Sequence, residues 1–480
     1  MISLILCGSV SAQDFKVMSL FSDGMVIQRD TLAPVWGKAA PGTKVKVCPS
    51  WGEAVSCRAD AGGRWRACIA TPEAGGPHSI RISAKGYGDV TVSDVMSGEV
   101  WICSGQSNMD MPMKGWGQQY IDGAEEALLR AGLHQDRIRV FHITADTTSV
   151  PQHDVQAVWR HTDMQTLSCT SALAYFFAVR ITEMLNVPVG IVVNPWGGSR
   201  IQTWMRHEDV ESALEGKVEP ARLYSFVDRP QERECCPDVT ASCYNGRIHP
   251  LRGFAARGFL WYQGESDRMD HDVYDDLMTA FAARLRSDWG DDSARMPFLF
   301  VTMAPWGMDE LDRDNFRPFL VESQLACLKT IPNSYAAVTE TLGSFEFVHP
   351  PYKREIADQL ALLAFEKTYG LDAGVDVGFP YPSSIEYRSG AAFITMGNCN
   401  GGIVCHDGGP VAGFEVAGPD MVFRPASAEI HLHHRIKVWS AEVPEPVAVR
   451  YGFGNYTGAN LRSTFGVPVP SFRTDGPTNR

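Results

Sequence analysis

Hydrophobic and polar residues alternate in short runs along the first part of the chain, and turn-forming residues separate the runs. Between about residues 14 and 97 these runs include KVMSLF, LAPVWGKA, PGTKVKVCPS, HSIRISAKG and DVTVSDV. A period of two is typical of half-buried strands, and the close spacing of the turns favours two packed sheets. We therefore predict a β-sandwich over residues 14–97. Its expected role is support, because it contains no cluster of catalytic side chains.

The pattern changes over residues 98–373, where buried-type apolar runs alternate with longer segments of helical period. The predicted strands are VWICS, RIRVFHI, VPVGIVVN, GFLWYQ, PFLFVTMA and AAVTET. The predicted helices are SALAYFFAVRITEMLN, DDLMTAFAARLRSDW and KREIADQLALLAFEKTYG. This alternation predicts an α/β domain with a parallel-sheet core. A charged stretch with several prolines, residues 206–244, indicates an insertion or lid, and short alternating runs over 374–480 predict a second β-rich region.

Composition narrows the choice of partners and compartment. The 480 residues carry a net charge of −13 without a dense basic cluster, which disfavours nucleic acid or an anionic membrane surface. No apolar run reaches the roughly 18 residues that a membrane span requires. Residues 1–13 resemble the end of a secretory signal peptide that lacks its basic region, with a buried first strand as the alternative. We therefore expect a secreted or periplasmic protein.

The chain contains 12 cysteines. Cys235, Cys236 and Cys243 crowd one loop, so that Cys235–Cys236 is a possible loop staple. Disulfides and scattered buried thiols both remain open, because spacing alone does not define connectivity. No spacing typical of zinc ligands is present, and we expect no metal site.

Four motifs of the α/β region lie at the ends of predicted strands or ahead of a helix. They are Ser107 in WICSGQSNMDMPM, Gly197-Gly198 in NPWGGSRIQTWM, Gln263 in GFLWYQGESD and His349 in FEFVHPPYKRE. In open α/β sheets the carboxyl edge of the strands is the usual ligand site. Each motif has a structural alternative: a helix cap, an ordinary turn, a loop-fixing amide and an exposed loop residue. Together they provide a nucleophile, a base and hydrogen-bond donors.

These motifs resemble the ordered blocks of the SGNH/GDSL hydrolases. More closely, GEVWICSGQSNMDMPM, YNGRIHPL and GFLWYQGESD resemble the sialate O-acetylesterase family, as do LFSDGMVIQRDTLAPVWGKAAPGTKV near the start and VAGFEVAG, PVAVRYGF and SFRTD near the end. The resemblance covers nearly the whole chain. It implies a flavodoxin-like SGNH core and a serine esterase that removes O-acetyl groups from sialic acids without a cofactor. The alternatives are an acetylxylan or other carbohydrate acetylesterase, and a carbohydrate-binding protein with a degenerate hydrolase core.

The resemblance also implies roles for the motif residues. His349 would accept the hydroxyl proton of Ser107 and later pass it to the departing sugar hydroxyl. The backbone N–H groups of Ser107 and Gly198 and the side-chain amide of Gln263 would bind the oxyanion. Loss of one such donor typically lowers turnover by about 10²–10³.

The acid of the triad departs from the family pattern. Relatives generally carry Asp two or three residues before the histidine, whereas Phe347 and Glu346 occupy those positions here. We predict that Glu346 holds the ring nitrogen of His349 that is remote from Ser107. The alternatives are a Ser-His dyad that uses a backbone carbonyl, or a carboxylate from Glu265 or Asp267.

The candidate substrate-binding residues follow from the chemistry of sialic acid. Sialic acid carries a carboxylate, and Arg can bind a carboxylate through two hydrogen bonds. The candidate substrate-binding residues are Arg200, Arg247 and Asn245, and the candidate sugar-stacking residues are Trp196, Trp204 and Tyr262. His249 is a weaker candidate for the base, because no acid stands at the triad spacing. We expect an acetylated carbohydrate as the only partner and make no prediction of oligomeric state.

Overall fold

The computed structural model describes residues 15–144, 147–227, 239–307 and 316–476. The predicted signal remnant 1–13, the Cys235–Cys236 pair and part of the 206–244 insertion lie outside these ranges. Within them, no helix is both long enough and apolar enough to cross a membrane. The cysteines in these ranges are all free thiols.

The first part of the chain forms short strands in two sheets. Their bounds are β1 Lys16–Val17, β2 Val26–Gln28, β3 Leu32–Lys38, β4 Lys44–Pro49, β5 Val55–Arg58, β6 Arg64–Ala70, β7 Gly75–Ala84 and β8 Val90–Gly105. Strand β3 lies between β1 and β6, while β4 joins β5 to β7 and β7 pairs with β8, all antiparallel. Exposed and buried residues alternate strictly along β6, as the period of two in the sequence indicates.

Strand β8 belongs to two sheets at once. Its first half pairs with β7, and its second half pairs with the central strands of the α/β region. From Ser97 to Gly105 every residue is buried, whereas exposed positions interrupt the strand before Ser97. The predicted domain boundary between residues 97 and 98 therefore falls inside a strand, at the point where burial becomes continuous.

The central sheet contains six further strands. They are β9 Ile138–His142, β10 Trp159–His161, β11 Val189–Pro195, β12 Gly258–Tyr262, β13 Phe298–Val301 and β14 Ser334–Ala337. The order across the sheet is β10-β9-β11-β8-β12-β13-β14, and only the edge strand β10 runs antiparallel to its neighbour. Side chains from alternate positions enter two separate cores: Val100 and Ile102 lie in one, and Trp101 and Cys103 in the other. This explains why these strands are apolar at every position.

Helices cover both faces of this sheet. Their bounds are α1 Ser107–Asp110, α2 Ala124–Leu129, α3 Met164–Ser168, α4 Ala172–Leu185, α5 His207–Leu214, α6 Pro220–Val227, α7 His271–Trp289, α8 Phe316–Thr330 and α9 Lys353–Lys367. Residues of α4 and α9 fill one core, and residues of α7 and α8 contribute to the other. The three helices predicted from apolar periodicity correspond to α4, α7 and α9. The chain therefore has a mixed α/β fold with additional β-sheets.

The last part of the chain forms small sheets around a core of its own. The strands are β15 Tyr381–Arg388, β16 Ala391–Gly397, β17 Ile403–Cys405, β18 Phe414–Ala417, β19 Arg424–Pro425, β20 Ser427–His431, β21 Arg435–Trp439, β22 Ala448–Tyr451, β23 Leu461–Ser463 and β24 Phe472–Arg473. A buried ion pair joins Arg317 of α8 to Glu340, and the Arg317 guanidinium also reaches the carbonyl of Gly454. Polar contacts of this kind attach the last sheets to the α/β region.

We predict that Glu340→Ala lowers the free energy of unfolding by about 3–5 kcal/mol, because it leaves the Arg317 guanidinium buried without a counter-charge. Both side chains of this pair are almost fully buried, with 2.7 Å between Nη2 and Oε2. Urea denaturation measures the change. The control is Asp89→Ala, which removes an exposed pair with Arg81 and should change stability by less than about 1 kcal/mol. Equal effects of the two substitutions would contradict the prediction.

Candidate active site

The site begins where β8 ends. The strand runs through Ser104 to Gly105, so the chain turns at Gln106, and α1 starts at Ser107. Gly105 has φ 143°, and a Cβ at this position would lie 2.1 Å from the carbonyl oxygen of Tyr262. Only glycine permits this approach of β8 to β12. The Gln106 side chain then accepts hydrogen bonds from backbone N–H groups of the loop after β12.

The structure brings Ser107 and His349 together. The Ser107 hydroxyl lies 2.8 Å from Nε2 of His349, and Nδ1 of the same ring lies 2.6 Å from Oε1 of Gln119. When Nε2 accepts the hydroxyl hydrogen, Nδ1 carries the ring hydrogen and donates it to the Gln119 amide oxygen. The ring of Trp116 packs edge-on against the imidazole, with 5.1 Å between centroids. The pair is therefore oriented by an amide and shielded by an indole.

A tight turn in the sequence GWGQQ positions Gln119. Trp116 and Gln119 exchange two backbone hydrogen bonds of 2.9 and 2.8 Å. Gly115 has φ 71°, and a Cβ there would lie 2.1 Å from the carbonyl oxygen of Gln119. Sequence reasoning missed Gln119, because its partner His349 lies 230 residues away and only the glycines of the turn mark the segment.

The predicted acid of the triad is wrong. Glu346 is exposed. Its backbone N–H donates a hydrogen bond to the hydroxyl of Ser344. The same hydroxyl accepts the N–H of Phe347, so the chain turns here and directs Glu346 to solvent. Within the described residues its carboxylate forms no hydrogen bond or ion pair. The ring nitrogen assigned to it is bound by Gln119 instead.

The environment keeps His349 neutral. The pKa of His349 is lowered to about 4, chiefly by burial and also by the Lys353 ammonium, while the Asp110 carboxylate acts in the opposite direction. A neutral amide at Nδ1 stabilises the imidazolium less than a carboxylate would. At neutral pH the ring is therefore the free base, which is the form that can accept the Ser107 proton.

A glycine turn lies beside Ser107. A Cβ on Gly197 would lie 3.9 Å from the Cβ of Ser107, and Gly198 has φ 69°. The hydroxyl of Ser266 donates to the carbonyl of Gly198 at 3.0 Å and steadies this turn. Within the part of the chain that the structure describes, the backbone N–H groups of Ser107 and Gly198 donate to no protein acceptor. They are available to a ligand.

Gln263 does not provide the third donor that the sequence suggested. Its side chain is fully buried, and Nε2 donates to the carbonyl of Ser199 at 3.0 Å and to the carboxylate of Asp267. Oε1 accepts the hydroxyl of Tyr274 at 2.7 Å. Because both N–H groups of the amide are used, the predicted oxyanion role of Gln263 is wrong. Through its bonds to Ser199 and Asp267, the Gln263 side chain instead links the glycine turn to the loop after β12.

The alternative acids also have other partners. Asp267 accepts the N–H of Ile201 at 3.0 Å in addition to the Gln263 amide, and Glu265 accepts the Asn108 amide at 2.5 Å. Neither carboxylate binds His349. Asp267 instead fastens the start of the segment that follows the glycine turn.

The three predicted substrate-binding side chains are bound within the protein. Arg200 forms ion pairs with Asp267 and Asp270. Arg247 is buried, donates to backbone carbonyls at Pro195 and Ile143, and lies over the ring of Trp196 at 4.5 Å. Asn245 donates to the carbonyl of Ser149. These contacts contradict the predicted carboxylate clamp, because the side chains support loops rather than face an open site.

Most of the predicted sugar-stacking residues lie in the core. Trp204 and Tyr262 are fully buried, and Trp196 is covered by Arg247. His249, the weaker candidate for the base, is bound by the carbonyl of Gln152 and by Arg252. The structure shows two exposed aromatic side chains that sequence reasoning missed: Tyr120 is 57% exposed and Phe345 is 55% exposed, and each adjoins a residue considered above, Gln119 and Glu346 respectively.

We predict that Gln119→Glu raises the pKa of His349 by about one to three units, because a carboxylate at Nδ1 stabilises the imidazolium. NMR titration of histidine-labelled protein measures this pKa, which is expected at about 4 in the unchanged protein. Gln118→Glu, on the exposed neighbouring residue, is the control and should leave the titration nearly unchanged. An unmoved His349 titration in Gln119→Glu would show that Gln119 does not contact the ring.

Comparison with known proteins identifies the family. The family model "Carbohydrate esterase, sialic acid-specific acetylesterase" matches residues 97–346, which is more than half of the chain. Mouse sialate O-acetylesterase is 26% identical over 436 residues, covering 80% of this chain and 78% of the relative; the human enzyme is 25% identical over 407 residues, covering 78% and 74%. The crystal structure of a carbohydrate acetylesterase from Xanthomonas citri is 30% identical with a TM-score of 0.83 and covers 97% of this chain and 100% of that one. The resemblance seen in the motifs is confirmed, and the chain belongs to the sialic acid-specific acetylesterase family of carbohydrate esterases, which are carboxylic ester hydrolases.

Proposed function

We propose that this protein is a serine esterase that removes O-acetyl groups from carbohydrates, with O-acetylated sialic acid as the first candidate substrate. One observation carries the proposal: the Ser107 hydroxyl lies 2.8 Å from the free-base nitrogen of His349. A serine hydroxyl alone is a weak nucleophile at neutral pH, and an adjacent base is the usual means of activating it.

The position of this pair in the sheet supports an SGNH-type, flavodoxin-like core. With the edge strand β10 and its neighbour β9 set aside, the order is β11-β8-β12-β13-β14. Numbered along the chain, this is the 2-1-3-4-5 order of doubly wound sheets, in which ligands bind where the connections diverge to opposite sides. Here that point is the carboxyl end of β8, which is followed by Ser107.

The first half of the reaction forms an acetyl-enzyme. Ser107 Oγ attacks the carbonyl carbon of the acetyl ester while His349 Nε2 takes the hydroxyl proton. The carbonyl oxygen becomes an oxyanion, which the backbone N–H groups of Ser107 and Gly198 bind. The bond to the sugar oxygen then breaks, and Nε2 returns the proton to this leaving oxygen. The sugar departs with a free hydroxyl, and the acetyl group remains on Ser107.

The second half returns the enzyme to its starting state. A water molecule gives its proton to His349 Nε2 and attacks the acetyl carbonyl, and collapse of the second oxyanion releases acetate and restores the Ser107 hydroxyl. In both halves the Gln119 amide oxygen accepts the hydrogen on Nδ1, so Nε2 always faces the reacting oxygen. Gln119 thus selects the tautomer without adding a negative charge.

The structure favours a neutral acetylated glycan as a second candidate substrate. The two arginines expected to bind the sialic acid carboxylate, Arg200 and Arg247, are bound to protein groups. A xylan-type backbone carries no carboxylate and needs no such clamp, and the relative from Xanthomonas citri is named only as a carbohydrate acetylesterase. Export, which the first 13 residues suggest, would bring the enzyme to either glycan outside the cytoplasm.

Acetate release from O-acetylated sialic acid and from acetylated xylan, measured side by side, tests the function. We expect release from at least one substrate and a loss of at least about 10³-fold in Ser107→Ala, because among the described residues the Ser107 hydroxyl is the one that contacts Nε2 of His349. The ratio of the two kcat/KM values identifies the substrate class. Release that persists in Ser107→Ala, or that is absent in the unchanged enzyme, would reject the proposed function.

Tyr120 is exposed and follows Gln119, which contacts the His349 ring, so Tyr120 is a candidate sugar-stacking residue. We expect Tyr120→Ala to raise KM for the acetylated glycan about threefold to tenfold, through loss of a stacking surface, and to leave hydrolysis of a small chromogenic acetate ester unchanged. Tyr224→Ala removes a similarly exposed tyrosine from α6 and serves as the matched control. Equal KM values in Tyr120→Ala and Tyr224→Ala would exclude Tyr120 from the sugar site.

A further inference from the structure

A buried polar cluster lies directly behind the Ser107–His349 pair, and the reaction described above does not use it. It consists of Asn108, Glu265 and Lys353, which are 1%, 7% and 0% exposed. Asn108 follows the nucleophile in the chain, Lys353 follows the base by four residues, and Glu265 stands in the loop after β12. Each segment that forms the catalytic pair therefore contributes one member, and the third comes from the loop below.

The amide of Asn108 is the centre of this cluster. The Lys353 ammonium donates to Oδ1 of Asn108, and Nδ2 of Asn108 donates to Glu265 at 2.5 Å. The same Nδ2 donates to the carbonyl of Val348 at 3.1 Å. Since Val348 precedes His349, one side chain fastens the residue after the nucleophile to the residue before the base. The cation lies on one side of the amide and the anion on the other.

The charge on Lys353 is unfavourable for the fold. Lys353 is the first residue of α9, where the positive end of the helix dipole disfavours a cation. Its ammonium is removed from water and has one hydrogen-bond acceptor, with the face of the Tyr262 ring 5.1 Å away. Burial lowers the pKa of Lys353 to about 7 and raises the pKa of Glu265. Burying an apolar side chain of the same length would cost less free energy than burying this ammonium. Stability alone therefore does not account for the charge on Lys353.

The groups around the imidazole show what the charge does. Lys353 acts on the ring from α9, and Asp110 acts on it with the opposite sign from α1. Asp110 is itself shared with His142 at the end of β9, at 3.7 Å. Gln119 binds Nδ1 and is neutral, Glu265 faces Asn108, and Glu346 is exposed. Among the described residues, Lys353 is therefore the cation that opposes a positive charge on His349.

We propose that the buried Lys353 ammonium, held by Asn108, keeps the His349 imidazole in its proton-accepting form in acidic medium and so extends hydrolysis to acidic pH. Lys353 is a positioning residue: it acts through His349 and does not contact the substrate. The inference rests on the proposed function, in which neutral His349 is the base. Because burial lowers the pKa of Lys353 only to about 7, the ammonium form predominates in the more acidic range in which His349 is titrated.

The test is the pH dependence of kcat/KM for a small chromogenic acetate ester. In Lys353→Met and Lys353→Gln we expect the acid limb to move upward by about one pH unit, because the cation that opposes protonation of His349 is gone. Gln retains a donor for Asn108, so it separates loss of charge from loss of the hydrogen bond. Lys353→Arg retains the charge and should keep the acid limb of the unchanged enzyme. Lys367→Met, at the exposed end of the same helix, is the control.

A uniform loss of kcat/KM at every pH, with the acid limb unmoved in both Lys353→Met and Lys353→Gln, would overturn the inference and leave Lys353 a merely structural residue. NMR titration of His349 in the same variants reads the ring without turnover. An upward shift of this titration in a protein that hydrolyses no acetate ester would retain the effect of Lys353 on the ring and reject the proposed function instead. An unmoved His349 titration in variants of an active enzyme would retain the proposed function and reject the effect of Lys353 on the ring.

Discussion

The close approach of β8 and β12 is the constraint on which the site depends. At their carboxyl ends the backbone of Tyr262 occupies the space that a Cβ at position 105 would need, so the contact exists only with Gly105. The next residue, Gln106, then donates its N–H to the carbonyl of Tyr262 at 2.9 Å and reaches the loop after β12 with its side chain. Ser107 follows directly. The proposed nucleophile is thereby attached to two strands rather than to a free turn.

The buried polar side chains next to this contact are paired with protein groups, whereas two backbone N–H groups at the site are left for a ligand. Gln263 and Asp267 bind the segment around the glycine turn, while the N–H groups of Ser107 and Gly198 remain without acceptors within the described residues. A site organised in this way is rigid before substrate arrives, which is what stabilisation of a developing charge requires. The amide of Gln119 adds orientation without charge. It leaves His349 a weaker base than a carboxylate would, but one that stays unprotonated at lower pH.

The sequence predicted the fold more accurately than it predicted the contacts of the site residues. Continuous apolar runs predicted the central strands, because these strands are buried on both faces. Helical periodicity predicted α4, α7 and α9, because a helix buried on one face repeats its apolar residues at the helical period. Motifs pointed to Ser107 and His349, which the structure brings into contact. Glu346, Arg200 and Arg247 were assigned wrongly, because chain proximity says nothing about the direction of a side chain. Gln119 was missed for the converse reason: its contact with His349 is made only by folding.

The most direct test of the account is covalent labelling of the nucleophile. An organophosphonate reagent that phosphonylates activated serines, followed by peptide mass spectrometry, shows which hydroxyl is activated. The account predicts one adduct per chain, on Ser107, and no adduct in His349→Ala, since within the ranges that the structure describes Ser107 is the hydroxyl at hydrogen-bond distance from the free imidazole nitrogen. An adduct on another residue, or undiminished labelling of Ser107 without His349, would contradict the account.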